Sequence, residues 1–346
     1  MNALHYVAPI FLIALLVEGI AFRAYTLRRL LSALGCVALD RLFYASAFSV
    51  FQIAFDALHT RVALVTLDSA SLSTWLFAIV GHDIAYYAFH RASHRVHVLW
   101  AAHVVHHHGE SYDFTTSLRQ GTVATWITLL FYLPLAFFVD ARVFAGVHAA
   151  YQVYQFFVHT RAVRTLGPLE WILATPSHHR VHHGRDRRSL DRNYGGFFIV
   201  FDRLLGTFTR EREDREPAYG VPGGYDVVSP LFANTYVFAR LVAASREARG
   251  ARALVRLWLG PPEASARLLG SAAHAPAPND GASIVRACAP FVLGLLGTAI
   301  IVLFRERLPG AAVALGTVAV IFVIEIGSAM LDGRSSTPKP RPHTVG

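Results

Sequence analysis

The feature that most restricts this chain is a set of apolar runs, 17 to 23 residues long, with almost no Lys or Arg inside them. A bilayer core about 30 Å thick is crossed by roughly 20 such residues in helical form. In hydrocarbon every backbone polar group must be satisfied within the protein, so runs of this kind fold as helices. Seven spans are read, at 5–22, 42–58, 72–90, 122–139, 143–159, 287–303 and 309–331. Composition agrees, with 54% hydrophobic and 16% charged residues in 346, where a soluble domain is about a quarter charged. The expectation is an all-α, polytopic membrane protein of about seven transmembrane helices. Two or three soluble domains, a disordered chain, a collagen-like repeat and a coiled coil are excluded on the same grounds.

The formal net charge of +9 raises the question of nucleic acid, and the placement of that charge answers it. If the N-terminus lies outside, the outer loops hold only Arg61, Arg142, Arg305 and Arg307. All other basic residues fall in 23–41, 90–121, 160–286 and the C-terminal tail. An excess of that size orients the spans by the positive-inside rule, so the charge is topogenic and no nucleic-acid partner is expected. Met1 to Ala21 contains no Lys or Arg, so the first span lacks the basic leader of a cleaved signal peptide.

The chain divides into N-terminal transmembrane helices (1–71), a catalytic core (72–222), a cytosolic basic amphipathic segment and linker (223–285), a C-terminal transmembrane hairpin (286–331) and a disordered tail (332–346). The one large polar insertion is 160–286, and 271–283 is a small-residue linker. Within 231–258, Arg240, Arg246, Arg249, Arg252 and Arg256 alternate with large apolar residues. Such a helix suits either an anionic leaflet or the surface of the polar domain.

Only two cysteines are present, Cys36 and Cys288, too far apart for a thiolate metal motif. A metal must therefore be held by nitrogen or oxygen. Of 18 histidines, most lie between His82 and His183, and they are grouped. His90 and His94 are four apart at the inner end of the third span. His103, His106 and His107 follow, spaced i, i+3, i+4, and His179, His182 and His183 repeat that spacing. Residues three and four apart share one helix face, so each group can present its imidazoles to one ion. Thr175 and Pro176 supply an N-cap and a first-turn proline before the third group.

A lone histidine on an apolar face is usually a core residue with one hydrogen bond, and His5, His59 and His97 are read that way. That account does not cover three spaced groups on one membrane side, whose eight histidines are read as metal ligands. In the fifth span His148, Gln152, Gln155 and His159 form one polar stripe, and polar side chains at membrane depth face the bundle interior and mark function. His159, level with the other groups, is the ninth ligand. Asp83 shares a stripe with Tyr87, His90 and His94 and is expected to accept a proton from a ligand's second ring nitrogen. His82, His108 and His178 lie off the pattern.

Eight or nine neutral ligands exceed the four of a structural zinc site and suit two ions with open positions. Imidazole serves iron, zinc and copper, and oxygen chemistry favours iron. A zinc protease would need Glu after the first His of a helical pair, where Arg91 and Arg180 stand.

The three groups, read as HRASH, HVVHH and HRVHH, resemble the fatty acid hydroxylase and sterol desaturase superfamily of membrane di-iron oxygenases. GHDIAYYAFHRASH, LWAAHVVHHHGESYDFTTSLRQ, TPSHHRVHHGRDRRSLDRNYGGFFIVFDRLLGTF and EPAYGV are similar to its alkylglycerol monooxygenase branch and bacterial sterol-desaturase-family relatives, over roughly 75–222. The resemblance implies a four-helix membrane core under a cytosolic helical cap that holds two iron ions. It also implies O2-dependent hydroxylation or desaturation of a lipid, with the eight grouped histidines essential. Tyr194 and Glu110 keep that branch's pattern. The branch uses tetrahydrobiopterin and carries Glu after the second His of the first group. Here Arg95 stands in that place, a charge reversal that argues against an unmodified pterin contact. The alternatives are sterol or fatty acyl oxidation with a ferredoxin- or cytochrome-type donor, and a non-enzymatic membrane metal carrier. With Asp83, the residues Gln155, Asp191 and Asn193 are expected to orient the ligands. Arg-rich composition points to a bacterial inner membrane with the site facing the cytoplasm. The sequence says nothing of oligomeric state.

Overall fold

The computed structural model describes residues 4–221, 227–263 and 281–332. Its secondary structure among these residues is helical, with two isolated β-bridges, Leu173 to Phe198 and Gly184 to Tyr219. Helix α1 spans Leu4–Ala21, α2 Leu27–Val62, α3 Leu72–Arg95, α4 His97–His107, α5 Phe114–Ser117, α6 Thr122–Tyr132 and α7 Ala141–Phe157. Short helices α8 (Pro176–His182) and α9 (Val200–Leu204) follow, then α10 (Pro230–Ser245), α11 (Ala251–Leu259), α12 (Gly281–Phe304) and α13 (Gly310–Asp332).

One buried core is built by α2, α3, α6 and α7. Phe51 and Phe55 of α2, Ala78 of α3, Leu129 and Tyr132 of α6 and Val143, Phe144 and Val147 of α7 close on one another as a buried cluster. At about 1.5 Å per residue the 36 residues of α2 run roughly 54 Å, well beyond the bilayer core. The expected 42–58 span is thus only the C-terminal half of one long helix. The Leu-, Arg- and Ala-rich stretch before it is part of the same helix, which starts after Thr26, whose hydroxyl accepts the Arg29 N–H. That N-terminal half packs Leu31, Ala38 and Leu42 against Ala287 and Phe291 of α12 and Ile324 of α13.

The seven expected spans are not equivalent. Among the described residues, three helices are long and apolar enough to cross a membrane by length and composition, at Leu27–Val62, Ser283–Arg307 and Gly310–Leu331; Pro9–Ala21 and Thr122–Phe137 are shorter apolar helices. The third and fifth spans, α3 and α7, carry His82, Asp83, His148, Gln152 and Gln155, which lower their mean hydropathy. In the fourth, α6 tightens into a 3₁₀ turn at Leu133–Phe137, because Pro134 has no N–H to continue the α-helical ladder.

Two expectations for the polar part change. The basic stretch 231–258 is two helices, α10 and α11, broken at Gly250, whose φ of +87° suits glycine. Of the 271–283 linker, residues 281–283 already belong to α12; the rest of it, and the tail from 333 on, lie outside the described residues.

Candidate metal centre

Each histidine group is carried on a helix, as its spacing implies. Thr175 caps α8: its hydroxyl takes a main-chain N–H of the first turn, the His178 ring accepts the Thr175 N–H, and Pro176 opens the helix. His90 and His94 lie in the last two turns of α3, and α4 carries His103, His106 and His107. His159 sits two residues past the end of α7.

These nine side chains are all buried and fall into two sets. His90, His94, His103, His107 and His182 form one; His106, His159, His179 and His183 form the other. Within each set the ring nitrogens lie within 4.8 Å of one another. The sets adjoin, since the rings of His107 and His183 stack with centroids 4.4 Å apart.

Hydrogen bonding fixes which nitrogen faces inward. A main-chain carbonyl only accepts, so a ring nitrogen beside one must carry the proton. His90 Nδ1 donates to the Tyr194 carbonyl at 2.9 Å, and His182 Nδ1 to that of Arg192 at 2.9 Å. His106 Nδ1 donates to the Arg119 carbonyl at 3.3 Å, and His159 Nδ1 to that of Gln155 at 2.6 Å. In these neutral rings Nε2 is a bare lone pair. His106 Nε2 and His159 Nε2 nevertheless stand 3.1 Å apart, two lone pairs with no proton between them. The other close pairs are His159 with His179 at 3.0 Å, His179 with His183 at 3.2 Å and His103 with His107 at 3.2 Å, all through Nε2. Nε2 of His90, His94 and His182 is buried with no hydrogen-bond partner.

Converging lone pairs are costly unless a cation sits among them. Two nitrogens bound at right angles to one ion at about 2.1 Å stand about 3.0 Å apart, and two on opposite sides about 4.2 Å. The observed 3.0–3.2 Å contacts match the first of these separations. Burial first, and then neighbouring imidazoles, hold His103, His107, His179, His182 and His183 well below the ordinary histidine pKa. These rings stay neutral, as ligands must.

The residues expected to orient the ligands do something else. Asp83 reaches no histidine; its carboxylate accepts the Tyr151 hydroxyl at 2.7 Å and the N–H groups of Phe197 at 2.7 Å and Phe198 at 2.9 Å. Asp191 pairs with Arg95 at 2.6 Å. Asn193 bonds the His178 and Thr209 carbonyls and accepts the Thr209 N–H. The Gln155 side chain donates to the Gly196 carbonyl at 2.6 Å, and only its main-chain carbonyl serves His159. Glu110 is exposed and contacts neither set. Tyr194 does reach the site: its carbonyl receives His90, and its buried ring lies 5.4 Å from that of His94. Asp83, Asn193 and the Gln155 side chain fix the loop through 192–198, and that loop's Tyr194 and Arg192 carbonyls fix the His90 and His182 rings.

Three residues of this support were not singled out in the sequence. Asp202, fully buried, accepts the Tyr194 N–H at 2.8 Å, the Gly195 N–H at 2.7 Å and the Thr207 hydroxyl at 2.6 Å. Gly196 is demanded by contact, because a Cβ there would lie 1.3 Å from the Tyr151 hydroxyl. Glu18 of α1 accepts the Phe114 N–H at 2.7 Å and the Thr160 hydroxyl at 2.6 Å, next to His159; an acid inside an apolar run was the available signal. The off-pattern histidines stay out of both sets. His82 contacts His148 at 3.0 Å, His108 contacts the Tyr236 hydroxyl at 2.9 Å, and His178 caps α8. His59 and His97 each make one hydrogen bond to a carbonyl.

Comparison with known proteins adds identity to this geometry. The family model for fatty acid hydroxylase matches residues 75–207. The alkylglycerol monooxygenase of Xenopus tropicalis is 44% identical over 169 residues, covering 49% of this chain and 37% of that protein. Its human counterpart is 45% identical over 159 residues, covering 46% and 35%. The ornithine lipid hydroxylase OlsE of Rhizobium tropici is 27% identical over 150 residues, covering 43% and 45%. The chain spans little more than a third of the length of the alkylglycerol monooxygenases it matches, and no solved structure matches it. All nine members of the two histidine sets fall within residues 75–207, the stretch that matches the fatty acid hydroxylase family model.

Proposed function

We propose that this chain is a membrane lipid oxygenase with a two-iron centre, His90, His94, His103, His107 and His182 holding one ion and His106, His159, His179 and His183 the other. The observation that carries this reading is the convergence of Nε2 lone pairs in two adjoining buried sets, with Nδ1 protons tied to carbonyls. Two irons supply the redox chemistry with O2 that an unactivated C–H bond requires. The chain's own contribution is positional: the Tyr194, Arg192, Arg119 and Gln155 carbonyls hold the rings, and the buried Tyr112 ring covers His159 and His183 on one side. For a hydroxylation, one oxygen atom enters the C–H bond and the other leaves as water, with two electrons and two protons from a donor.

The proposed topology is the seven-span arrangement, with both sets at the cytoplasmic face of a bacterial inner membrane and α4, α5 and α8 to α11 as the cap. The proposed substrate is an ether lipid of the alkylglycerol kind, after the relatives' names. Hydroxylation next to the ether oxygen would give an aldehyde on collapse. A second reading, another membrane lipid with a ferredoxin- or cytochrome-type donor, is favoured by Arg95. Its guanidinium is engaged by Asp191 at the surface, so it presents a paired cation where the pterin-using branch has a carboxylate. A metal carrier needs a succession of sites across the bilayer, whereas these nine ligands gather at one end of α3 and α7.

Lipid profiling of a host with and without the gene tests the activity. A lipid that gains one oxygen, loses two hydrogens or is cleaved to an aldehyde only with the wild-type gene is the expected result. Profiles identical with the gene and without it refute the reading.

A further inference from the structure

The polar insertion does not stay on the cytosolic side of the ligand layer. The N–H groups of Phe197 and Phe198 bond Asp83, which lies seven residues, or about 10 Å, outward of His90 along α3. The Tyr154 hydroxyl of α7 bonds the Ala174 carbonyl at 2.6 Å, and Leu173 bridges to Phe198. Residues 172–174 and 196–198 are therefore level with the transmembrane parts of α3 and α7.

What these strands of loop expose at that depth is apolar. Trp171 is 68% and Leu204 74% exposed, and Leu166, Leu169, Ile172 and Leu205 are exposed beside them. They form one surface: Ile199 N–H bonds the Ile172 carbonyl at 2.9 Å, and Arg203 lies over the Trp171 ring at 4.8 Å. The acids of the two segments turn away from it. Glu170 accepts the Leu166 N–H and the Thr175 and Ser177 hydroxyls, and Asp202 is buried under the Tyr194 loop. Exposed apolar surface with its charges folded inward belongs against an apolar partner.

We infer that residues 166–172 and 199–205 form a wedge immersed in the inner leaflet, its partner being the acyl chains of the bilayer. Depth decides among partners, since the flanking stretch of α3 is itself exposed at Leu76, Val80 and Ile84, continuous with a lipid-facing surface. Trp171, with its amphipathic ring, favours the headgroup boundary, and the Arg203 guanidinium is folded over the Trp171 and Phe208 rings and donates to the Glu170 carbonyl. Apolar faces of interfacial elements sit about 5–10 Å into the headgroup and acyl boundary, the offset that Asp83 sets. The wedge brackets α8, since 166–172 precedes that helix and 199–205 follows the loop that carries Tyr194, so the histidine sets stand at the inner boundary of the bilayer. The inference rests on the proposed membrane orientation of α3.

The test uses the full chain with Cys36→Ala and Cys288→Ser, reconstituted in vesicles of phosphatidylcholine and phosphatidylglycerol. A nitroxide is attached at a single cysteine replacing Leu204, Ile172, Val80 or Arg212, and its relaxation by O2 and by a water-soluble nickel chelate is measured. Leu204 and Ile172 should show a ratio of O2 to chelate accessibility severalfold above that at Arg212 and close to that at Val80. Ratios at Leu204 and Ile172 equal to that at Arg212, with Val80 in lipid, overturn the wedge alone. Shielding of both positions from both reagents assigns the surface to a second protein copy and also overturns it. A Val80 label in water overturns the membrane orientation instead.

Discussion

Replacing Asp202 by Asn should loosen one metal position and spare the other. Its carboxylate accepts two main-chain N–H groups, of Tyr194 and Gly195, and the Thr207 hydroxyl, at 2.6–2.8 Å and with no exposure to solvent. Bonds to a charged acceptor contribute about 1.5–3 kcal/mol each, and a buried donor left alone costs about 1–3 kcal/mol. Asn keeps one oxygen and turns an NH2 toward one of the two N–H groups. The Thr207 hydroxyl can rotate away, so the local loss is roughly 3–5 kcal/mol. The Tyr194 peptide then moves, and its carbonyl no longer fixes the His90 ring, now 2.9 Å away. Loss of such an orienting partner lowers metal affinity about 10- to 100-fold. The second set takes its orientation from Arg119 and Gln155 and keeps its ion. The assay is chelator-competition titration of purified protein, with circular dichroism as the check on folding. One weakened and one unchanged binding step is the expected result. Two unchanged steps would show that Asp202 has no hold on His90, and two equally weakened steps that it serves the fold as a whole.

Aerobically expressed protein with added iron should carry close to two metal equivalents, and His106→Ala or His182→Ala should each take it below two and abolish lipid oxidation; plasma emission spectroscopy of the purified variants decides. Metal-free protein should lose stability on acidification, measured as the melting temperature between pH 7 and 5. The folded site holds His103, His107, His179, His182 and His183 below the ordinary histidine value. The unfolded chain therefore takes up protons that the fold refuses once the pH drops below about 6.5, and stability rises with pH through that window. A flat profile would mean that the rings protonate freely in the fold. Given an alkylglycerol and either tetrahydrobiopterin or a reduced ferredoxin system, membranes containing the protein should distinguish the two donor readings. If pterin alone yields aldehyde, the Arg95 to Asp191 pair does not bar that cofactor, and Arg95→Glu should change pterin affinity little.

Spacing identified eight of the nine histidines that the fold gathers, and the polar stripe of the fifth expected span identified His159, because three- and four-residue intervals place imidazoles on one face of a helix. Apolar runs likewise implied helices, since helix formation by such runs follows from local chemistry. The partition of the ligands was not legible. His182 joins His90 and His94, while its helix neighbours His179 and His183 face His106 and His159, a division made by wedging α8 between two other elements. Periodicity reports the face on which a side chain stands but not the element that face meets. For the same reason Asp83, on the ligand stripe of α3, turned out to hold the 197–198 backbone. The groups that orient the rings are main-chain carbonyls, which every residue has and no sequence pattern marks. Their positions exist only once the loop through Tyr194 is folded against α3 and α7.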